Sequence, residues 1–241
     1  MKKIIVFISL VASLVSCSDD TETRGVSRVT NYPQITVLGD NPLFIAKGSQ
    51  YVDPGALAME GTNQISYTTS ASGKFKGGTN VDSGVVDEYL VTYTATNVDG
   101  FEGKATRKVI VYENGDLINN ISGIYKSTVT RNGVLTAQYT GLKYVYIWKN
   151  PDGKYELSDG IGGYYDLGRN YGVGYAATGA KITANDIPTN NFSYSAFSVG
   201  GFGGGCTMNS MVVNPTTKKI TFNTIWSSGY TFNVSLEQVQ F

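Results

Sequence analysis

The chain has 241 residues, with 19 Lys+Arg balanced by 19 Asp+Glu and no histidine. Zero net charge leaves no long-range field to gather phosphates, which argues against nucleic acid as a partner. The absence of histidine removes the commonest general base, the commonest zinc ligand and every Ser–His or Cys–His nucleophile pair, and with them most hydrolase chemistries.

Taken in chain order, residues 1–16 read as a signal peptide. Lys2 and Lys3 precede an apolar run from Ile4 to Val15, which is shorter than the roughly 20 residues a bilayer-spanning helix needs. Leu14-Val15-Ser16-Cys17 then resembles the lipobox of bacterial lipoproteins. That resemblance implies cleavage before Cys17, acylation of its thiol and new amino group (palmitate-type chains), and a membrane anchor made of several chains where one alone is marginal. Ser18-Asp19-Asp20 resembles the acidic export signal of Sus-type lipoproteins of gut anaerobes, which implies an outer-membrane protein facing the cell exterior. Residues 17–30 lack apolar periodicity and are expected to be a lipidated, flexible tether. With Cys17 acylated, Cys206 has no disulfide partner; in its Gly-rich setting it reads as a small buried thiol rather than a nucleophile.

Residues 31–113 carry only strand signals. Tyr89–Thr96 alternates, placing Tyr89, Val91, Tyr93 and Ala95 on one face; Asn97-Val98-Asp99-Gly100 turns the chain; and Lys104–Tyr112 returns with Val109 and Val111 opposed to Ile110 and Tyr112. The segments Gly48-Ser49-Gln50-Tyr51-Val52-Asp53-Pro54-Gly55-Ala56 and Val91-Thr92-Tyr93-Thr94-Ala95 resemble those of bacterial Ig-like domains that serve as spacers in cell-surface proteins. The resemblance implies a β-sandwich over 31–113. Asp53 reads as a turn residue that binds local N–H groups ahead of Pro54.

Residues 114–120 form a polar junction, and 114–241 is expected to be a second antiparallel domain, a sandwich or barrel-like meander. Asn132-Gly133 is a two-residue hairpin signal, predicting strands over Ile124–Arg131 and Val134–Thr140. Lys143–Trp148 alternates Tyr144, Tyr146 and Trp148 against Val145 and Ile147. The whole chain is thus expected to be all-β. The stretches Ile121–Tyr125 with Val129–Gly133, and Leu157–Tyr165 with Gly168–Gly172, resemble the C-terminal domain that follows Ig-like modules in Sus-type surface lipoproteins. That resemblance implies a place in polysaccharide capture, by context more than by known chemistry.

The segment YELSDGIGGYYDLGRNYGVGYAATG, residues 155–179, concentrates tyrosine, carboxylate and glycine. Sugars are held by flat apolar rings against their C–H faces and by polar groups on their hydroxyls, and tyrosine and tryptophan offer both with few rotamers to freeze. The candidate ligand contacts are therefore Tyr164, Tyr165, Tyr171 and Tyr175, with Asp159, Asp166 and Arg169, and the two tryptophans Trp148 and Trp226. The same tyrosines read equally as a β core with glycine turns. Glu156, Asp159 and Asp166 raise a glycosidase, which would need two carboxylates at a fixed separation; nothing in the sequence marks such a pair, and the expectation is a non-catalytic protein without cofactor or metal. The expected partners are a glycan, the membrane through Cys17 and an outer-membrane transport complex; as the alternative to glycan binding, the protein is a structural or interaction subunit of that complex.

Overall fold

The computed structural model describes residues 30–241; the signal peptide expected over 1–16, the lipidation at Cys17 and nearly all of the 17–30 tether lie outside the described residues. What is described is all-β and built in two parts. In the first, β1 (Gln34–Val37), β3 (Ala56–Glu60) and β4 (Asn63–Ile65) form one antiparallel sheet. A second sheet has β2 (Leu43–Ala46), β7 (Glu102–Tyr112), β6 (Asp87–Thr96) and β5 (Thr68–Gly73) in that order, with β2 parallel to β7. Between the sheets lie Ile45, Ala56, Tyr89, Val91, Tyr93, Val109 and Val111. The period-two pattern of β6 is therefore the cause of its placement: Tyr89, Val91, Tyr93 and Ala95 are buried while Leu90 and Thr96 are exposed.

This sandwich also holds a buried arginine. The Arg107 Nε–H donates to the Tyr93 hydroxyl at 3.0 Å, and its terminal nitrogens donate to the carbonyls of Leu38, Asp40 and Gly55. Tyr93 in turn donates to Asp53 Oδ1 at 2.6 Å, which also accepts the Gly55 N–H at 2.9 Å. Asp53 thus closes a local turn and completes the network that makes a buried guanidinium tolerable.

The second part is one nine-stranded antiparallel sheet. Its strands are β8 (Gly123–Arg131), β9 (Leu142–Lys149), β10 (Tyr155–Leu157), β11 (Lys181–Asp186), β12 (Asn191–Tyr194), β13 (Phe197–Val199), β14 (Gly203–Asn214), β15 (Lys219–Trp226) and β16 (Tyr230–Gln238). The order is β12-β11-β10-β9-β8-β16-β15-β14-β13, so the first and last strands of the domain pair at its centre. The sheet curls until its ends approach, where Asn190 Oδ1 accepts the Val213 N–H at 2.7 Å. Inside the curl are Tyr125, Ile147, Leu157, Ile182, Phe222 and Phe232.

The two parts meet through strands that are apolar on both faces. In β7, Val109 and Val111 enter the sandwich core while Ile110 faces the second domain. In β9, Val145 and Ile147 enter the curled sheet's core while Tyr146 and Trp148 join Ile110, Val86 and Ile124 between the domains. The Tyr146 hydroxyl donates to Glu88 Oε2 at 3.0 Å across this seam. The C-terminal Phe241 ring stacks on Tyr112 at 3.9 Å.

One expected strand is absent. Asn132 and Gly133 make the tight turn with positive φ values of 51° and 77°, and Arg131 and Val134 exchange backbone hydrogen bonds, but the pairing stops there. The chain leaves the sheet and forms a 3-10 turn at Ala137–Tyr139, drawn aside by the Tyr139 ring stacking on Tyr164 at 3.9 Å. That departure opens the side of the sheet.

Candidate functional site

The opening is a cleft of about 680 Å³ at the end of β8. Three chain segments far apart in sequence make it. The end of β8 and the following turn supply Arg131, Asn132, Gln138 and Tyr139; the start of β16 supplies Tyr230; the loop after β10 supplies Tyr164 and Arg169. That loop is pinned inside the curled sheet. Gly160 O accepts the Thr224 hydroxyl at 2.7 Å and Gly162 O accepts the Ser127 hydroxyl at 2.8 Å. Gly162 has φ +73°, and a Cβ there would lie 2.7 Å from Val234, so glycine is what lets the loop reach this depth. A short helical segment, Tyr164–Gly168, then returns the chain to the surface.

Rings and cations alternate across the cleft. The Arg131 guanidinium lies 4.6 Å from the Tyr230 ring centre and 5.1 Å from that of Tyr164. Arg169 lies 5.9 Å from the Tyr164 ring, and its Nε–H donates to the Tyr139 hydroxyl at 3.2 Å. The hydroxyls of Tyr171, Tyr164 and Tyr139 beside Arg169 hold its guanidinium firmly protonated. Burial pushes the Tyr164 hydroxyl above its ordinary range, so it stays neutral, hydrogen-bonded to Tyr139 and Arg169. Beside the cleft, Tyr165 meets Phe202 at 4.9 Å, and Tyr171, Tyr175 and Phe202 make a shelf in which Tyr171 and Phe202 are about half exposed, at 47% and 50%.

The expected contacts divide accordingly. Arg169 lines the cleft, Tyr164 forms its floor with its ring buried in the curled sheet's core, and Tyr171 and Tyr175 form its shelf. The placement of five others corrects the expectation that they face a ligand. Trp148 is in the seam between domains, with Phe75 against it and the Lys76 ammonium 4.0 Å from its ring. Tyr165 and Trp226 are buried in the core of the curled sheet, because the loop must fill that interior; the Trp226 Nε1–H donates to Gly203 O at 3.0 Å. Asp159 is sealed beneath the loop, with Oδ1 accepting the Ile161 N–H at 2.8 Å, and burial raises its pKa to about 7. Asp166 is buried in an ion pair with Lys74 of the first domain at 3.0 Å.

Arg131, Tyr139, Tyr230, Gln138 and Phe202 were not among the sequence candidates. The one local signal was the Asn132-Gly133 turn, which fixes a long cationic side chain at a strand end. Cys206 is buried and its thiol is pushed up to about 11 by burial, as suits an inert core residue. A second depression of about 330 Å³ on the outer sheet face is lined by threonine, serine and asparagine together with the exposed Leu135 and Val212, and its one aromatic residue, Phe222, is buried. Its asparagines bond to one another, as Asn223 does to Asn233 at 2.7 Å. Among the described residues no group of three His, Cys, Asp or Glu is placed to hold a metal.

Residues 114–238 match a family model described as a C-terminal domain, and residues 35–111 match the Ig-like domain of bacterial surface proteins. Among solved structures the chain is similar to the lipoprotein BT2262 from Bacteroides thetaiotaomicron, at 26% identity and a TM-score of 0.62, covering 86% of this chain and 100% of that one. No curated protein matches it.

Proposed function

The chain belongs to the family defined by that C-terminal domain, here joined to a bacterial surface Ig-like module, and from this premise we propose that it is a cell-surface lipoprotein that holds saccharide without cleaving it. The anchor is the acylated Cys17 in the outer membrane; its support is the lipobox and the similarity to a Bacteroides lipoprotein. The binding element is the cleft. The observation that carries this reading is the convergence of Tyr139, Tyr164 and Tyr230 with two guanidiniums around an open space of about 680 Å³, the size of a small-ligand site. The half-buried Tyr230 ring supplies apolar contact with the C–H side of a sugar over a floor of Tyr139 stacked on Tyr164, and the surrounding polar groups meet its hydroxyls.

Non-catalytic binding fits the disposition of the carboxylates. Asp159 is sealed, Asp166 is committed to Lys74, and Glu156 accepts the Asn150 amide at 2.8 Å. None of the three lines the cleft, which supports binding without paired-carboxylate cleavage there.

Affinity gels and calorimetry on the whole chain with a panel of soluble polysaccharides test this. Binding to at least one polymer is expected, weakened about ten-fold or more by Tyr230→Ala and unchanged by Val212→Ser in the other depression. Failure of the folded chain to bind any polysaccharide, together with co-purification of an outer-membrane transporter that Tyr230→Ala leaves intact, would favour an accessory subunit instead.

A further inference from the structure

The second domain has two arginines, Arg131 and Arg169, and both line the cleft. Neither meets a carboxylate. The seven ion pairs among the described residues use Lys47, Lys74, Lys76, Lys104, Arg107, Lys108 and Lys219. The residues lining the cleft include no Asp or Glu at all. Two like charges are thus gathered around one ring, Tyr164, at 5.1 and 5.9 Å, in a protein with no net charge to impose such a bias. Cation–π attraction offsets part of their mutual repulsion; a bound anion would remove the rest.

Two of the neutral groups nearby are partly engaged. The Gln138 side-chain amide donates to Gly168 O at 2.8 Å, and Asn132 Oδ1 accepts the Thr231 N–H at 2.8 Å. Arg169 meets tyrosine hydroxyls only, which leave its charge unneutralised, and a guanidinium's planar fork matches the oxygens of a carboxylate or a sulfate.

Building on the saccharide reading above, we propose that the cleft selects an acidic saccharide unit, a uronate or a sulfate ester, with its anion between Arg131 and Arg169 and a sugar face against Tyr230. Five polymers titrated into the full chain test it: polygalacturonate, the same polymer with its carboxylates reduced, dextran sulfate, dextran, and polyglutamate as a polyanion without sugar. At least one acidic polysaccharide is expected to bind ten-fold or more above its neutral counterpart and above polyglutamate. The affinity falls with added salt, and by about ten-fold in Arg131→Gln and in Arg169→Gln. Arg131→Lys, which keeps charge but not the fork, retains part of the affinity and shows that lost binding is not lost folding. Preference for polygalacturonate or dextran sulfate identifies the anionic group. A neutral polymer bound as tightly as its acidic partner overturns the charge selection and leaves saccharide capture standing. Equal binding of polyglutamate overturns it as mere polyanion attraction. Absence of binding to all five, in a folded chain, removes the saccharide reading as well.

Discussion

Asp159 carries a titratable group where water does not reach, and the consequence is a pH-dependent stability. Burial raises its folded-state pKa from 3.8 to about 7, against the opposing pull of the Ile161 and Gly163 amides. Unfolded, the group releases its proton near its ordinary value. Between these two pKa values the native state therefore binds more protons than the unfolded chain, and stability falls as pH rises through that window. Denaturant unfolding at pH 4, 5.5 and 7.5 is expected to show the loss, on the order of 3–4 kcal/mol if Asp159 acts alone. Asp159→Asn, which never ionises, should flatten the profile and be the more stable protein at pH 7.5. A flat profile in the wild type would show that the acid is paired or hydrated.

Glycine governs the edge of β14 in the same local way. Gly203 and Gly204 have φ values of 67° and 79°, and a Cβ on Gly204 would lie 2.6 Å from Trp226 Nε1. Gly204→Ala is expected to displace the indole, cost about 2 kcal/mol and lower the melting temperature by several degrees, with Trp fluorescence shifted to the red. Strands of this kind were legible in the sequence wherever alternation was strict, as in β6 and in β9 with its aromatic and aliphatic faces. Alternation says which residues share a face but not what covers it, and so Trp148 read as a ligand contact when its cover is the other domain. The Asn132-Gly133 turn was legible; the loss of the strand after it was not, since that depends on Tyr139 meeting Tyr164. The cleft was only half visible for a related reason. Tyr164 and Arg169 sit in a conspicuous segment, whereas Arg131 and Tyr230 are ordinary residues brought together by β8 pairing with β16, the two ends of the domain.

At the scale of the whole molecule, the short helical segment Tyr164–Gly168 serves both halves of the chain. Tyr164 lines the cleft while Asp166, two residues on, pairs with Lys74 of the first domain at 3.0 Å. Lys74→Ala leaves a buried carboxylate without its cation, which is expected to cost about 2 kcal/mol in a melt and to weaken saccharide affinity about three-fold. Lys47→Ala, at the exposed pair with Glu113, should change neither. Affinity that is unmoved by Lys74→Ala would show that the cleft is shaped within its own domain. The entry of the chain lies elsewhere. Thr30 Oγ1 donates to Asp99, Asn31 O accepts the Asn97 amide at 2.9 Å, and the Tyr32 ring lies 5.0 Å from Phe101, all at the β6–β7 turn. The seam with the second domain is at the other end of β7, where Ile110 and Tyr112 lie. Eleven extended residues separate the two, roughly 35 Å. The second domain therefore begins about one strand-length from the point where the described chain enters the first.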